Sequence, residues 1–177
     1  AGDRAAAVGE GVQASWLAVV LGVLVVIAVQ ATAAPLVSAI GGSAAIATAA
    51  LEWLRIAILA APAILISLAG NGWMRGVQDT ARPLRYVLTG FGISAVLCPL
   101  LVYGLLGLPR WGLPGSAAAN LVGQWIAAAL FIGALRSERV SLRPDPAVLR
   151  AQVVMGRDLV VRTMAFVSCA LESTARN

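Results

Sequence analysis

The sequence predicts an all-α fold, a polytopic helical membrane protein, and three observations carry that prediction. Between Glu10 and Glu52 the chain runs 41 residues without a charged side chain, and further uncharged stretches of helix length follow before Leu135. Hydrophobic residues make up 60% of the chain and charged ones 12%, about half the charged share of an ordinary soluble domain. A helix rises about 1.5 Å per residue and a bilayer core is about 30 Å thick, so roughly 20 apolar residues cross it.

The first run is too long for one crossing, since about 41 helical residues would reach about 60 Å. Gly41-Gly42, after Pro35 and before Ser43, is the natural break. Span one is therefore expected over 12–40 and span two over 48–74, with Glu52 and Arg55 at i, i+3 spacing in the first turns of span two. That spacing suits a local ion contact at headgroup depth. Span three is expected over 84–106, where Pro99 removes a backbone hydrogen bond. Such a break is tolerated in lipid where neighbours satisfy the freed carbonyl, which predicts that this helix packs inside the bundle. Span four is expected over 115–135, after a turn rich in Gly and Pro. Trp16, Trp53, Trp73 and Trp111 fall near span ends, where an indole suits the water interface.

Every basic residue is Arg, and the arginines collect on alternate loops. Arg4, the group Arg75, Arg82 and Arg85, and the series from Arg136 to Arg162 fall on one side, against Arg55 and Arg110 on the other. Positively charged flanks resist translocation, so the first side is expected in the cytoplasm. The arginines form no single stripe, which argues against a nucleic-acid partner for the net charge of +5. The segment 136–150, with Pro144 and Pro146, reads as a cytoplasmic linker between structural units, following a lobe over 1–135 and preceding a second unit over 151–177. Between Arg162 and Glu172 only nine uncharged residues remain, either an interfacial helix or the start of an incomplete span. The latter reading, together with the first residue being Ala, leads to the expectation of a piece of a longer protein.

No span carries a His, a carboxylate pair or a nucleophile with a base, so neither an enzyme nor a bound cofactor is expected. Cys98 and Cys169 lack metal-ligand spacing and read as small buried hydrophobes. Gln30, Thr32, Ser67, Asn71, Thr89, Ser94, Asn120 and Gln124 supply the polar groups within spans, where small polar side chains mostly serve packing and interhelical hydrogen bonds. Asn120 and Gln124 lie one turn apart on one face and form the best polar pair for a cavity facing the bundle. The segment from Asn71 to Pro83 reads as a helix stop and restart: Gly76 can take the left-handed conformation, Asp79 or Thr80 can cap the next helix, Pro83 suits its first turn, and Arg75 can approach Asp79.

That segment also carries a resemblance. Asn71-Gly72, Arg75-Gly76, Gln78-Asp79-Thr80 and Pro83 resemble the loop after the fourth helix of MATE (multidrug and toxic compound extrusion) transporters, particularly the DinF-type branch. Gly2-Asp3-Arg4, Leu100 to Gly104 with Gly115 to Ala119, and Gly156-Arg157-Asp158-Leu159 with Arg162-Thr163 agree in register. The resemblance implies a MATE-like transporter lobe comprising helices three to six and the start of helix seven of a twelve-helix protein. It further implies a secondary antiporter in the plasma membrane that exports organic cationic or amphipathic compounds in exchange for H+ or Na+. Its partners would be membrane lipid, a small organic substrate, the coupling ion and the remainder of the same transporter. In many relatives helix five carries an Asn and, four residues on, an Asp of the ion site; these positions are Ser94 and Cys98 here, and a polar position of helix six falls on Asn120. A thiol is a poor substitute for a carboxylate that must cycle its proton. The alternatives are a lipid-linked precursor flippase of the same superfamily, which a strongly Arg-lined cavity would favour, and a non-transporting membrane scaffold.

Overall fold

A computed structural model describes residues 2–40, 43–107, 109–138 and 143–157. The expected turn at Gly41-Gly42, Cys169, the segment between Arg162 and Glu172, and the pairs Asp158-Leu159 and Arg162-Thr163 lie outside the described residues. The fold is all-α: helix α1 covers Gly2–Ile40, α2 Ala44–Ala57, α3 Ala61–Gly76, α4 Ala81–Tyr103 and α5 Leu113–Ser137, with α6 over 146–157. Four helical segments are long and apolar enough to cross a membrane: Ala6–Ser38, Ala44–Gly76, Ala81–Tyr103 and Leu113–Ser137. The chain divides into two compact units, 1–142 and 143–177.

Helix α1 begins earlier than hydropathy indicates. Ala5 to Ala7 favour helix, and the charged Arg4 and Glu10 do not interrupt it, so the backbone is helical from Gly2. The second crossing is not one helix. A single 3-10 turn, Ile58–Ala60, separates α2 from α3, because Pro62 in the first turn of α3 has no N–H to continue the α-helical ladder. Glu52 and Arg55 are both exposed and form no ion pair with each other, in contrast to the contact their spacing suggests.

The spans do not lie in chain order. Helix α1 packs on α3 and α2, α3 packs on α5, and α4 packs chiefly on α5. Pro99 sits within α4, which nonetheless continues to Tyr103, and only Pro83 and Gly90 of that helix are buried. Of the neighbours expected around the Pro99 helix inside a bundle, the described residues supply chiefly α5, on which α4 rests. Its contact with α5 depends on small residues. A Cβ at Gly123 would lie 2.5 Å from the Gly90 carbonyl oxygen, and one at Gly90 would lie 2.7 Å from that of Gly123. At each of these points backbone meets backbone, the arrangement that small residues permit in helices without a hydrophobic driving force between them.

One core joins α1, α3 and α5 near the start of the chain: Val8, Val12, Trp73, Met74, Phe131, Ala134 and Leu135. Tyr86 of α4 meets Phe131 edge to face, with ring centroids 5.3 Å apart. Trp73 is only 5% exposed. Its assignment to the water interface is therefore corrected: the indole fills the space beside Gly11 of α1, where no side chain stands in its way.

The end of the unit where α1 starts and α5 finishes is tied by charge. Arg4 donates from Nη2 and Nε to the two carboxylate oxygens of Glu138, at 2.8 and 3.3 Å. The hydrogen bond from Arg4 holds the Glu138 carboxyl below its ordinary range, and the same bond raises the Arg4 guanidinium. Asp79 and Arg82, paired at 3.1 Å in the α3–α4 loop, add their fields to Arg4 and Glu138 respectively.

The second unit is described for 143–157. Asp145 caps α6, its Oδ1 accepting from the Ala147 N–H at 2.9 Å while Pro146 occupies the first helical position.

Two outcomes follow. Gly123→Ala should destabilise the unit by about 1–3 kcal/mol in detergent unfolding, whereas Gly133→Ala, with open space around it, should be neutral or mildly stabilising. Because the folded Glu138 carboxyl titrates below its unfolded value of about 4.3, its tie to Arg4 is fully present above that pH and lost as pH falls through the lower folded value. Spin labels on the two helix ends should separate only on acidification below the ordinary carboxylate range, and Glu138→Gln should abolish that acid step.

Candidate substrate and ion cavity

The sequence singled out Ser94, Cys98, Asn120 and Gln124, and the fold places the first two on α4 and the other two on α5, its packing partner. Ser94 packs beside Gly123, where an added Cβ would stand 2.9 Å from the Ser94 Cβ. Gly90, Ser94 and Cys98 recur every four residues on α4, opposite Gly115, Ala119, Gly123 and Ala127 at the same interval on α5. The pairs Gly90–Gly123 and Leu101–Gly115, both in close backbone contact, set the two helices antiparallel, with Cys98 between those two points. Cys98 is a half-buried free thiol.

Gln124 borders a small cleft with Ser67 of α3 and Val87, Gly90 and Phe91 of α4. Its volume of about 20 Å³ suits a single water and not an organic molecule. Asn120, half-buried one turn away, does not line it. The four residues thus lie on two adjoining helices, but they do not meet around one substrate-sized space among the described residues.

Their chemistry differs from that of the other polar groups in the spans. Ser15, Thr32, Thr48, Ser67 and Thr89 each donate to the carbonyl four residues back, at 2.8 to 2.9 Å, and so carry no free donor. Ser94, Asn120 and Gln124 make no such bond, nor any other hydrogen bond among the described residues. Two neutral carboxamides and a hydroxyl on adjoining helices can supply donors and acceptors without charge.

Larger apolar spaces lie on the other side of α5. A groove of about 560 Å³ runs between α1, the 3-10 turn and α5, lined by Val23, Ile27, Leu59, Pro62 and Trp125 among others. A second, of about 230 Å³, opens near Val12, Trp16 and Ile66. Sequence reasoning passed over Pro62 and Trp125. The signal for the first was available, a proline in mid-run, whereas only the packing of α5 on the broken span shows that the Trp125 indole N–H donates to the Leu59 carbonyl.

The loop motif also takes a definite geometry. The stop of α3 is built by the N–H of Gln78 donating to Arg75 O and that of Asp79 to Met74 O, both at 2.9 Å, the two bonds of a Schellman motif. The left-handed residue is Gln78, with φ of 61°, and not Gly76, which remains helical. Asp79 caps α4 by accepting from the Arg82 N–H at 3.1 Å, and it pairs with the Arg82 side chain where an approach to Arg75 was expected. Thr80 makes no capping bond, and Pro83 is buried in the first turn. Asn71 lies half-buried and Gly72 exposed in the last turns of α3.

Known proteins share both the sequence and this arrangement. The family model described as MatE matches residues 1–100. The chain is 33% identical over 147 residues to a protein named probable multidrug resistance protein NorM from Burkholderia mallei, covering 80% of this chain and 31% of that one. It is 35% identical over 116 residues to Protein DETOXIFICATION 44, chloroplastic, from Arabidopsis thaliana, covering 64% and 22%. DNA damage-inducible protein F of Escherichia coli matches at 29% over 140 residues, covering 73% and 29%. The chain thus spans less than a third of the length of these curated relatives. In fold it is similar to a MATE crystal structure in the bent conformation, with a TM-score of 0.66 at 22% identity, covering 83% of this chain and 38% of that one. An inward-facing multidrug resistance MATE transporter matches with a TM-score of 0.65 at 23% identity, covering 84% and 40%. This chain belongs to the MatE family of multidrug and toxic compound extrusion transporters.

Proposed function

We propose that this chain forms part of a secondary antiporter that exports small organic compounds, cationic or amphipathic, in exchange for H+ or Na+. Family membership supports the transport class. The observation that carries the reading to residues is the polar set Ser94, Asn120 and Gln124, without hydrogen-bond partners on two adjoining spans. In hydrocarbon such groups are costly unless they meet water, an ion, a solute or another helix, and neutral amides suit a site that must release what it binds. The position taken by a carboxylate in many relatives is Cys98 here, so the group that cycles the coupling proton or coordinates Na+ stands elsewhere than on α4. Membership in a multi-pass family supports the cell membrane as its place, with Arg75, Arg82 and Arg85 facing the cytoplasm.

Replacing Asn120 and Gln124 together by Leu should lower efflux of an organic cation about fivefold, the loss of one modest hydrogen bond to solute or water, while insertion is unchanged. Unaltered efflux in cells carrying the double variant would remove these two residues from the transport path. Reversing Arg75, Arg82 and Arg85 to Glu should redistribute the α3–α4 loop across the membrane, read as labelling of a cysteine at Gln78 from the opposite side. Labelling that stays on the original side contradicts the assigned orientation.

A further inference from the structure

The second crossing is the one span among the described residues that is interrupted in its middle, and the interruption draws donors from both helices beside it. Pro62 cannot donate, so the chain tightens into the turn Ile58–Ala60, where the Ala61 N–H bonds the Ile58 carbonyl three residues back. The Leu59 carbonyl likewise finds no donor three residues on, where Pro62 stands. It accepts from the indole N–H of Trp125 on α5, at 3.3 Å. One turn earlier the Arg55 carbonyl accepts from the Gln30 carboxamide on α1, at 3.0 Å. Gly22 of α1 lies directly against Pro62, close enough that any side chain there would strike it. A continuous helix would need none of these contacts.

We propose that this turn is a hinge between α2 and α3, and that Gln30 and Trp125 are the positioning residues that hold it in its tightened form. Each is a side-chain bond to a main-chain oxygen, so each can be broken without unfolding either half-helix. The groove of about 560 Å³ beside Leu59, Pro62 and Trp125 gives the indole room to leave. Two half-helices joined this way move relative to each other at low cost, whereas α4 and α5 are locked by backbone contact at Gly90 and Gly123. The hinge's part in transport rests on the export reading; the existence of the latch does not.

Hydrogen exchange followed by mass spectrometry, on the protein in lipid nanodiscs, tests the latch with two conservative variants. Trp125→Phe keeps the ring and removes the N–H, and Gln30→Leu removes the carboxamide. In each, amides of 56–61 should exchange about fivefold faster, the effect of one lost hydrogen bond, with α4 amides unchanged. Unchanged exchange at 56–61 overturns the proposal, and so does an increase spread evenly over all spans, which marks general loosening. Efflux of an organic cation by the polypeptide that carries this chain is read alongside and should fall in both variants. Faster local exchange with undiminished efflux removes the hinge from transport. Absence of efflux in the unaltered protein defeats the export reading and leaves exchange to decide the latch.

Discussion

Every main-chain carbonyl in a hydrocarbon layer needs a donor, and that requirement organises this molecule more than any side-chain chemistry does. Three crossings stay helical throughout, although Pro35 in α1 and Pro99 in α4 each withhold one N–H from the ladder. The second, from Ala44 to Gly76, breaks at its centre into the turn Ile58–Ala60 ahead of Pro62. The remedy comes from outside the segment, in Gln30 and Trp125, and it binds α1 and α5 to the interrupted span. The packing order of the helices follows: α1 and α5 flank the break, while α4, which has no such duty, rests on α5.

Adhesion between the spans relies on closeness. Lipid tails solvate leucine as well as a neighbouring helix does, so the gain must come from surfaces that fit. Along α4 and α5 the fit is made by residues too small to hold the backbones apart, and Ser94 and Cys98 belong to that set. These positions therefore have a packing role that Ser and Cys fill at low bulk, quite apart from any solute. At the charged end the Arg4–Glu138 bridge, with Asp79 and Arg82 near it, joins the first and last spans across the loop that the family resemblance picks out.

The existence and number of spans were legible because they depend on composition summed over 20 or more residues, which no single contact can reverse. The family was legible from the segment Asn71 to Pro83, whose polar residues interrupt an apolar pattern at fixed offsets. Details that depend on which helix lies beside which were hidden. Trp73 sits near a span end in the sequence and in the core of the fold, because Gly11 on a distant segment makes room for it. Gly76 was the natural left-handed residue, yet the helix runs past it and Gln78 takes that conformation, since the hydrogen bonds back to Met74 and Arg75 set the stop two residues later. The lack of partners for Asn120 and Gln124 is likewise a property of the assembled helices.

The account rests on the interrupted segment being held at membrane depth. A nitroxide at Ile64, an exposed apolar position of α3 just beyond the break, measures this through its collisions with dissolved oxygen and with a water-soluble nickel chelate. Frequent collisions with oxygen and few with nickel, the reverse of a label at Gln78, are the predicted result. Nickel accessibility at Ile64 equal to that at Gln78 would place α2 and α3 outside the bilayer as a surface hairpin and contradict the account.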